Sequence, residues 1–206
     1  MKKSILVLVF IVLAGTSNYL VSQEEISISQ ARKNNLIELL NYRFKGGYYT
    51  FEKIFQQSVE YPPMAIGNCI MGIAIVSVKV NCEGEVDDLR IKTPLGYGID
   101  NEISAFFTKT EGQWNNCHDE KYTKFEIPIQ FKIKGSDTNT EDALLVLEAN
   151  SPGYLCSDDQ YYIDKLEKYM SKGKNKKALQ YLGILIRRDP YNTDYYDMRM
   201  KILNGE

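Results

Sequence analysis

The stretch "IAIVSVKVNCEGEVDDLRI", residues 73–91, has the pattern of two β-strands joined by one turn. The first strand alternates between Ser77 and Lys79 on one face and small aliphatic residues on the other, namely Ala74, Val76, Val78 and Val80. Residues 81–84 then break the run, and a second apolar run leads to Ile91. Because an isolated hairpin is only marginally stable in water, we expect other elements to cover its apolar face. The free edge of its sheet is then a candidate binding surface.

The second strand of this hairpin is irregular. Val86 falls out of phase with Leu89 and Ile91, so the three side chains cannot share one face of a regular strand. We therefore expect either a β-bulge at this place or a poorly buried Val86.

The segment "TKFEIPIQFKIK", residues 123–134, alternates without a fault and predicts a third strand. Its apolar face carries Phe125, Ile127, Ile129, Phe131 and Ile133, and its polar face carries Lys124, Glu126, Gln130 and Lys132. Pro128 has no N–H group to donate to a neighbouring strand. We therefore expect an edge strand in which Pro128 is directed outward and Glu126, Gln130 and Lys132 are exposed.

A helix is expected between the hairpin and this third strand. Apolar residues at helical spacing in "IDNEISAFFTKT", residues 99–110, predict it, and a helical crossover usually joins parallel strands. The third strand then lies antiparallel beside the first, which gives the spatial order 2-1-3. Residues 27–60 carry further helical patterns. The expected fold class is α+β, a three-stranded mixed sheet with helices on one face and a C-terminal helical tail.

The remaining segments differ in character from the sheet. Residues 135–157 are polar and rich in turn formers, and their one apolar run, residues 143–147, is consistent with a short strand or a helical turn. The expected organisation is a signal peptide at 1–22, a helical lead-in at 23–49, the sheet domain at 50–134, a linker at 135–157 and a helical tail at 158–206.

The N-terminus has the pattern of a secretory signal peptide. Lys2 and Lys3 precede an unbroken apolar run at residues 5–14, and Ser22-Gln23 is a suitable cleavage point. A membrane-spanning helix needs about 20 apolar residues, so an uncleaved anchor is only the alternative. Loss of both lysines would take the formal net charge from −2 to −4. Such a surface has no general attraction for nucleic acid.

Four cysteines in an exported chain indicate two disulfides. In the 2-1-3 sheet, the hairpin turn places Cys82 at the end of the sheet where the third strand starts, and Cys117 just precedes that strand. Cys69 opens the first strand at the opposite end, and Cys156 follows the end of the third strand by a loop. We therefore expect the pairs Cys82–Cys117 and Cys69–Cys156. The spacing predicts no metal site, because no C-x-x-C is present and the single histidine, His118, adjoins Cys117.

The sequence lacks the constellations that catalysis requires. It has no HExxH motif and no histidine–serine arrangement with a suitable neighbourhood, and "SKGKNKK", residues 171–177, lacks the glycine spacing of a phosphate loop. We therefore expect no catalytic residues, no cofactor and a binding function.

Residues 50–134 resemble the C-terminal domain of TonB, the periplasmic end of the Gram-negative energy-transduction system. The similar segments are "YPPMA" (61–65), "VNCEGEVDDLRI" (80–91), "GYGIDNEI" (96–103), "GQWNN" (112–116) and "IPIQFKI" (127–133). Residues 158–206 resemble a tetratricopeptide pair, through Gly173, Ala178, Tyr181 and "RRDPYN" (187–192). Since at least three such repeats are usually needed for a solenoid, this tail is either a helical cap on its neighbour or a peptide-binding element.

The resemblance implies a periplasmic or secreted module to which a peptide from an outer-membrane TonB-dependent receptor adds as a strand. The implied partner-binding residues are Phe125, Glu126, Ile127, Ile129, Gln130, Phe131, Lys132 and Ile133. The alternative is that residues 135–157, or a second copy of the chain in a homodimer, cover this edge.

The chain also departs from the family. Asn115-Asn116 stands where the family carries Lys-Pro after its tryptophan, which is Trp114 here. No histidine precedes His118 and no proline precedes Pro62, so we expect no counterpart of the motor-binding anchor and the Pro-rich spacer of a full transducer. A short transducer anchored in the inner membrane and facing the periplasm is the alternative function.

Overall fold

The structure is a computed structural model and describes residues 27–136 and 141–205. The predicted signal peptide lies outside these residues. The helices of the described part are α1 (Ile28–Arg43), α2 (Gly47–Ser58), α3 (Pro63–Gly67), α4 (Ile99–Lys109), α5 (Asp159–Met170), α6 (Asn175–Arg188) and α7 (Thr193–Asn204). The strands are β1 (Gly72–Val80), β2 (Val86–Ile91), β3 (Lys124–Ile133) and β4 (Leu145–Ala149), and a 3-10 helix, Glu120–Tyr122, precedes β3.

The sheet has four strands in the order β2-β1-β3-β4, so the prediction of a three-stranded sheet is wrong. β1 runs antiparallel to both β2 and β3, which gives the expected 2-1-3 arrangement as part of a larger sheet. The additional strand is β4, which pairs parallel to β3. It forms from the apolar run whose pattern was too short to separate a strand from a helical turn. The overall α+β class is as expected.

β3 is an internal strand, which corrects the prediction that Pro128 marks a sheet edge. The carbonyl oxygen of Pro128 accepts a hydrogen bond from the N–H of Leu144 at 2.9 Å, so this residue does point away from β1. The parallel pairing begins one residue later, where Ile129 lies beside Leu145. Pro128 therefore stands where the ladder starts, and only its acceptor is needed there.

The irregularity predicted in the hairpin is a β-bulge. Lys79 lies opposite Asp88 and Val80 lies opposite Val86, so Asp87 is the extra residue. The bulge restores the phase of the strand, and Val86 packs at the margin of the core as a partly buried side chain.

The first face of the sheet is covered by α1, α2 and α4. Alternation directs the aliphatic residues of β1 and the apolar residues of β3 to this face. There they meet aromatic side chains that contact one another edge to face, including Phe51 with Phe106 at a centroid distance of 5.1 Å and Phe44 with Trp114 at 5.0 Å. This cluster is the main hydrophobic core.

The second face is covered by the helical tail, so the expectation of helices on one face only is wrong. Ile73, Ile75 and Gln130 point to this side and are buried, and α6 packs against β1. The tail has a small core of its own, formed by Leu166, Ala178, Leu182, Leu185 and Ile202. Its amphipathic helices thus form a cap on the sheet.

Gly72 lies where the tail approaches β1 most closely. Its φ is +149°, and a Cβ atom built on it would lie 2.2 Å from the carbonyl oxygen of Arg187. We expect Gly72→Ala to lower the free energy of unfolding by about 1–3 kcal/mol, because α6 must move away from the strand. Urea denaturation measures the loss. Gly67→Ala is the matched control, since a Cβ there meets no atom within 4 Å, and a loss as large in this control would contradict the explanation.

Candidate functional site

The predicted partner-binding residues lie largely inside the protein. Phe125, Ile127, Ile129, Phe131 and Ile133 are at most 2% exposed, as core residues should be. Of the three polar residues that were expected on the surface, only Glu126 is exposed, Lys132 is half-buried and Gln130 is fully buried. This stretch therefore offers no continuous exposed surface.

The outer side of β3 is also occupied. β4 pairs with residues 129–133, and an ion pair between Lys132 Nζ and Glu148 Oε2 at 2.7 Å joins the two strands. α1 lies along the first half of β3, where Leu36 and Leu39 line a hollow with Glu126. The expected binding edge is thus closed by the chain itself, and part of it by residues of the predicted linker.

Gln130 is a polar side chain in an apolar environment. It is 0% exposed, and its amide nitrogen and oxygen find no hydrogen-bond partner among the described residues. Its neighbours on the adjacent strands are Ile73 and Val146. An unsatisfied buried amide costs about 1–3 kcal/mol relative to an apolar group of the same shape.

We expect Gln130→Met to raise the free energy of unfolding by about 1–2 kcal/mol, because methionine has a similar length and no hydrogen bonds to lose. Chemical denaturation of the variant and of wild type measures the difference. Gln57→Met changes an exposed side chain of α2 and should shift stability by no more than about 0.5 kcal/mol. A destabilised Gln130→Met variant would show that the amide has a partner in solution.

The outer edge of β4 is partly capped by α2. The N–H of Lys134 donates to the carbonyl of Ala149 on the β3 side, so alternation turns the backbone groups of Val146 outward. The carbonyl of Val146 accepts from Gln56 Nε2 at 2.9 Å, and that of Leu144 accepts from the Tyr48 hydroxyl at 3.2 Å. An incoming strand would have to displace both side chains.

The outer edge of β2 is the more open one. The N–H of Lys92 donates to the carbonyl of Ile75 at 2.8 Å, so alternation directs the backbone groups of Leu89 and Ile91 away from the sheet. In the described residues no strand lies beyond β2. The exposed residues Asp87 and Arg90 give this edge charges of both signs, which protects an edge strand from indiscriminate pairing.

A groove of about 440 Å³ begins where β2 ends. Lys92 and Pro94 form one wall, and α6 and α7 form the other with apolar side chains and two guanidinium groups, Arg187 and Arg199. Burial lowers the pKa of Arg187 below its ordinary value, while the nearby Tyr97 and Tyr162 oppose this shift. The groove thus combines apolar walls with positive charge.

A second unusual site lies at the opposite end of the hairpin, around Arg43. This side chain at the end of α1 is 0% exposed, and its N–H groups donate to the carbonyls of Asn81, Asn115 and Tyr122 at 2.7–3.0 Å. Burial lowers the pKa of its guanidinium. The site joins α1 to the hairpin turn and to the segment that precedes β3.

Both cysteine pairs expected from the topology form disulfides, Cys69–Cys156 and Cys82–Cys117. The second pair lies beside Arg43, and the backbone N–H of Cys117 donates to the carbonyl of Cys82 at 2.9 Å. Two disulfides are typical of proteins in an oxidising compartment, outside the cytosol.

Comparison of the chain with family models, with curated proteins and with solved structures finds no match. None of the helices described between residues 27 and 205 is long and apolar enough to span a bilayer. The same residues contain no group of three or more histidine, cysteine or acidic side chains that could hold a metal ion.

Sequence reasoning missed Arg43, although a signal was present. Leu36, Leu40 and Arg43 follow one another at intervals of four and three residues, so the arginine falls on the buried stripe of α1. The β2 edge was recognisable as the outer strand of the predicted hairpin. The groove had no sequence signal, because it forms only when the tail packs against the sheet.

Proposed function

We propose that the protein is an exported, non-enzymatic interaction module that resembles the TonB C-terminal domain and binds an extended segment of a partner protein at the edge of its sheet. The observation that carries the proposal is the outer edge of β2, where the backbone groups of Leu89 and Ile91 face no neighbouring strand in the described residues. Main-chain hydrogen bonds to such an edge provide affinity, and nearby side chains provide selectivity.

The choice of β2 follows from comparing the strands. The outer side of β3 is filled by β4 and α1, and two carbonyls at the outer edge of β4 already accept hydrogen bonds from α2. A strand paired with β2 and continuing past Ile91 would also enter the groove beside Lys92 and Pro94. There its apolar side chains and a carboxylate would meet matching surfaces on α6 and α7.

The partner class follows from charge and from the resemblance. A chain with 27 acidic and 25 basic residues has no general affinity for nucleic acid, so a protein partner is favoured. The resemblance suggests a segment of an outer-membrane TonB-dependent receptor. A second copy of the chain is the competing occupant of the β2 edge, and the oligomeric state measured by light scattering separates the two.

A proline at Leu89 tests the β2 edge. Leu89→Pro removes an outward N–H group and adds a ring that obstructs a neighbouring strand, so we expect capture of the partner to fall at least about tenfold. Leu89→Ala removes the same partly buried side chain but keeps the N–H group, and its capture should stay within about threefold of wild type. Pull-down from an envelope extract with residues 23–206, followed by mass spectrometry, supplies the comparison. Equal capture by a folded Leu89→Pro variant would exclude strand addition at β2.

The location proposed for the mature protein is the periplasm or the extracellular space, after cleavage between Ser22 and Gln23. The basic start and the apolar run at residues 5–14 support cleavage. The same run, if retained, would make the protein a short membrane-anchored transducer. The intact mass of the protein purified from its native envelope distinguishes the cleaved form from the anchored form, because loss of the first 22 residues excludes the anchored form.

A further inference from the structure

The disulfide Cys82–Cys117 differs from Cys69–Cys156 in its electrostatic surroundings. The Nη1 atom of Arg43 lies 3.0 Å from Sγ of Cys117 and donates a hydrogen bond to it. Cys82 is half-buried in the hairpin turn, whereas Cys117 is buried. The structure therefore places a cation against one sulfur of this bridge.

The charge of Arg43 is not balanced by the groups to which it is hydrogen-bonded. Its four hydrogen bonds go to three carbonyl oxygens and one sulfur, so no carboxylate is among these partners. A buried charge without a counter-ion is costly. A thiolate formed at Cys117 would supply the missing negative charge at hydrogen-bond distance, and a cation at such a distance favours the thiolate over the thiol.

We propose that Cys82–Cys117 is a redox-active disulfide that exchanges with thiols, and that Arg43 holds Cys117 as the thiolate when the bridge opens. An external thiolate attacks Sγ of Cys82, the bond between the two sulfurs breaks, and its electron pair remains on Cys117. A second external thiol then attacks the mixed disulfide and releases Cys82. The cysteine pair gains two electrons, and the two external thiols become one disulfide.

The protons in this exchange also balance. The two external thiols release two protons, of which one remains on Cys82 as a thiol and the other passes to solvent, since Cys117 stays ionised. A thiol that is stabilised as the thiolate is the better leaving group. This direction of attack also agrees with the burial, because Cys82 in the turn is the less buried of the two residues.

Other charged and titratable groups lie near this site. Tyr42 precedes Arg43 on α1 and interacts with its charge, Glu83 follows Cys82 in the turn, and His118 follows Cys117. Tyr122 contributes its carbonyl oxygen to Arg43. Arg43 donates a hydrogen bond to the sulfur itself, so it is the group that stabilises the thiolate.

The claim that Cys82–Cys117 is redox-active is tested by equilibrating the purified protein in a series of buffers that differ in their ratio of reduced to oxidised glutathione. Alkylation and peptide mass spectrometry report each pair separately, with Cys69–Cys156 as the internal reference. We expect Cys82–Cys117 to be half reduced in more oxidising buffers than Cys69–Cys156, and the gap between the two ratios should widen as the pH rises through the pKa of Cys117, because only the ionised thiolate stabilises the reduced pair. Equal ratios, or the reverse order, would overturn the proposal.

Substitutions at Cys82 and Arg43 test whether Arg43 stabilises the thiolate of Cys117. In a Cys82→Ser variant Cys117 is a single free thiol, and its ultraviolet absorbance against pH gives its pKa. We expect a pKa at least about one unit below the ordinary thiol value of about 8.5. Adding Arg43→Gln should abolish this depression, and adding Arg43→Lys should restore part of it. A pKa at or above the ordinary value in Cys82→Ser, or one that Arg43→Gln leaves unchanged, would refute the role of Arg43. If Arg43→Gln does not fold, the single variant and the glutathione series decide.

Discussion

Replacing Cys69 and Cys156 together by serine should lower the free energy of unfolding by about 4–5 kcal/mol. This bridge spans 87 residues, and the loss of chain entropy in the unfolded state grows with the length of the closed loop. It also joins the start of β1 to the loop before α5, so it restrains the tail against the sheet. Urea denaturation followed by the fluorescence of Trp114 and by far-ultraviolet circular dichroism measures the effect.

The matched comparison is the double replacement of Cys82 and Cys117. That bridge spans 35 residues, so its removal should cost less, about 3–4 kcal/mol in the same chain-entropy model. The first variant should also lose part of its far-ultraviolet helical signal before the fluorescence of Trp114 changes, because Trp114 reports the main core and the tail core is small. Since such unfolding is not two-state, the loss of stability is then taken from the fluorescence transition of the main core. A larger loss for the shorter loop, with a single coincident transition in both variants, would contradict this account.

The sequence was informative where a local pattern has only one physical solution. Alternation in β1 and β3 fixed which side chains face the core, and the phase error at Val86 required either a bulge or poor burial. The 2-1-3 arrangement followed from the parallel direction that a helical crossover gives to the two strands it joins. The two cysteine pairs then followed from which ends of the strands lie together.

The errors arose where packing between distant segments determines the outcome. β4 is a strand of five residues that owes its state to the free side of β3, since an isolated run of that length has no preferred structure. Pro128 suggested an edge strand because it has no N–H group to donate. A proline can also stand where a parallel ladder begins, since only its carbonyl is needed there. The polar face of β3 suggested solvent, but Gln130 is fully buried on the side of the sheet where α6 packs against β1.

These errors share one consequence for the candidate binding site. A chain that supplies its own fourth strand leaves β3 unavailable, so the proposed strand addition is assigned to the opposite edge of the sheet. The tail that packs against β1 also forms the wall of the groove beside that edge. The proposed binding surface on β2 therefore depends on the same tail docking that sequence patterns could not reveal.

Replacing Arg43 by methionine should lower the free energy of unfolding by about 3–5 kcal/mol in the oxidised protein. Methionine fills much of the space but has no N–H groups, so the carbonyls of Asn81, Asn115 and Tyr122 lose donors that lie at 2.7–3.0 Å. Each hydrogen bond to a charged group is worth about 1.5–3 kcal/mol, and the removal of the desolvated charge offsets part of the sum. Denaturation in urea without reductant measures the loss.

Arg32→Met is the control for this prediction, since Arg32 lies on the same helix and forms one ion pair, with Asp142 at 3.2 Å. Its side chain is 30% exposed and also lies over the ring of Tyr191 at 3.9 Å, so the ion pair and the ring contact together should contribute about 1–2 kcal/mol. The Arg43 variant should also exchange the amide protons of Asn115 and Cys117 with solvent much faster, because these N–H groups bond to the carbonyls of Arg43 and Cys82 within the network. A loss of unfolding free energy below about 1 kcal/mol, with unchanged amide exchange, would show that water replaces the guanidinium. The three segments would then be held together by the disulfide and apolar packing alone.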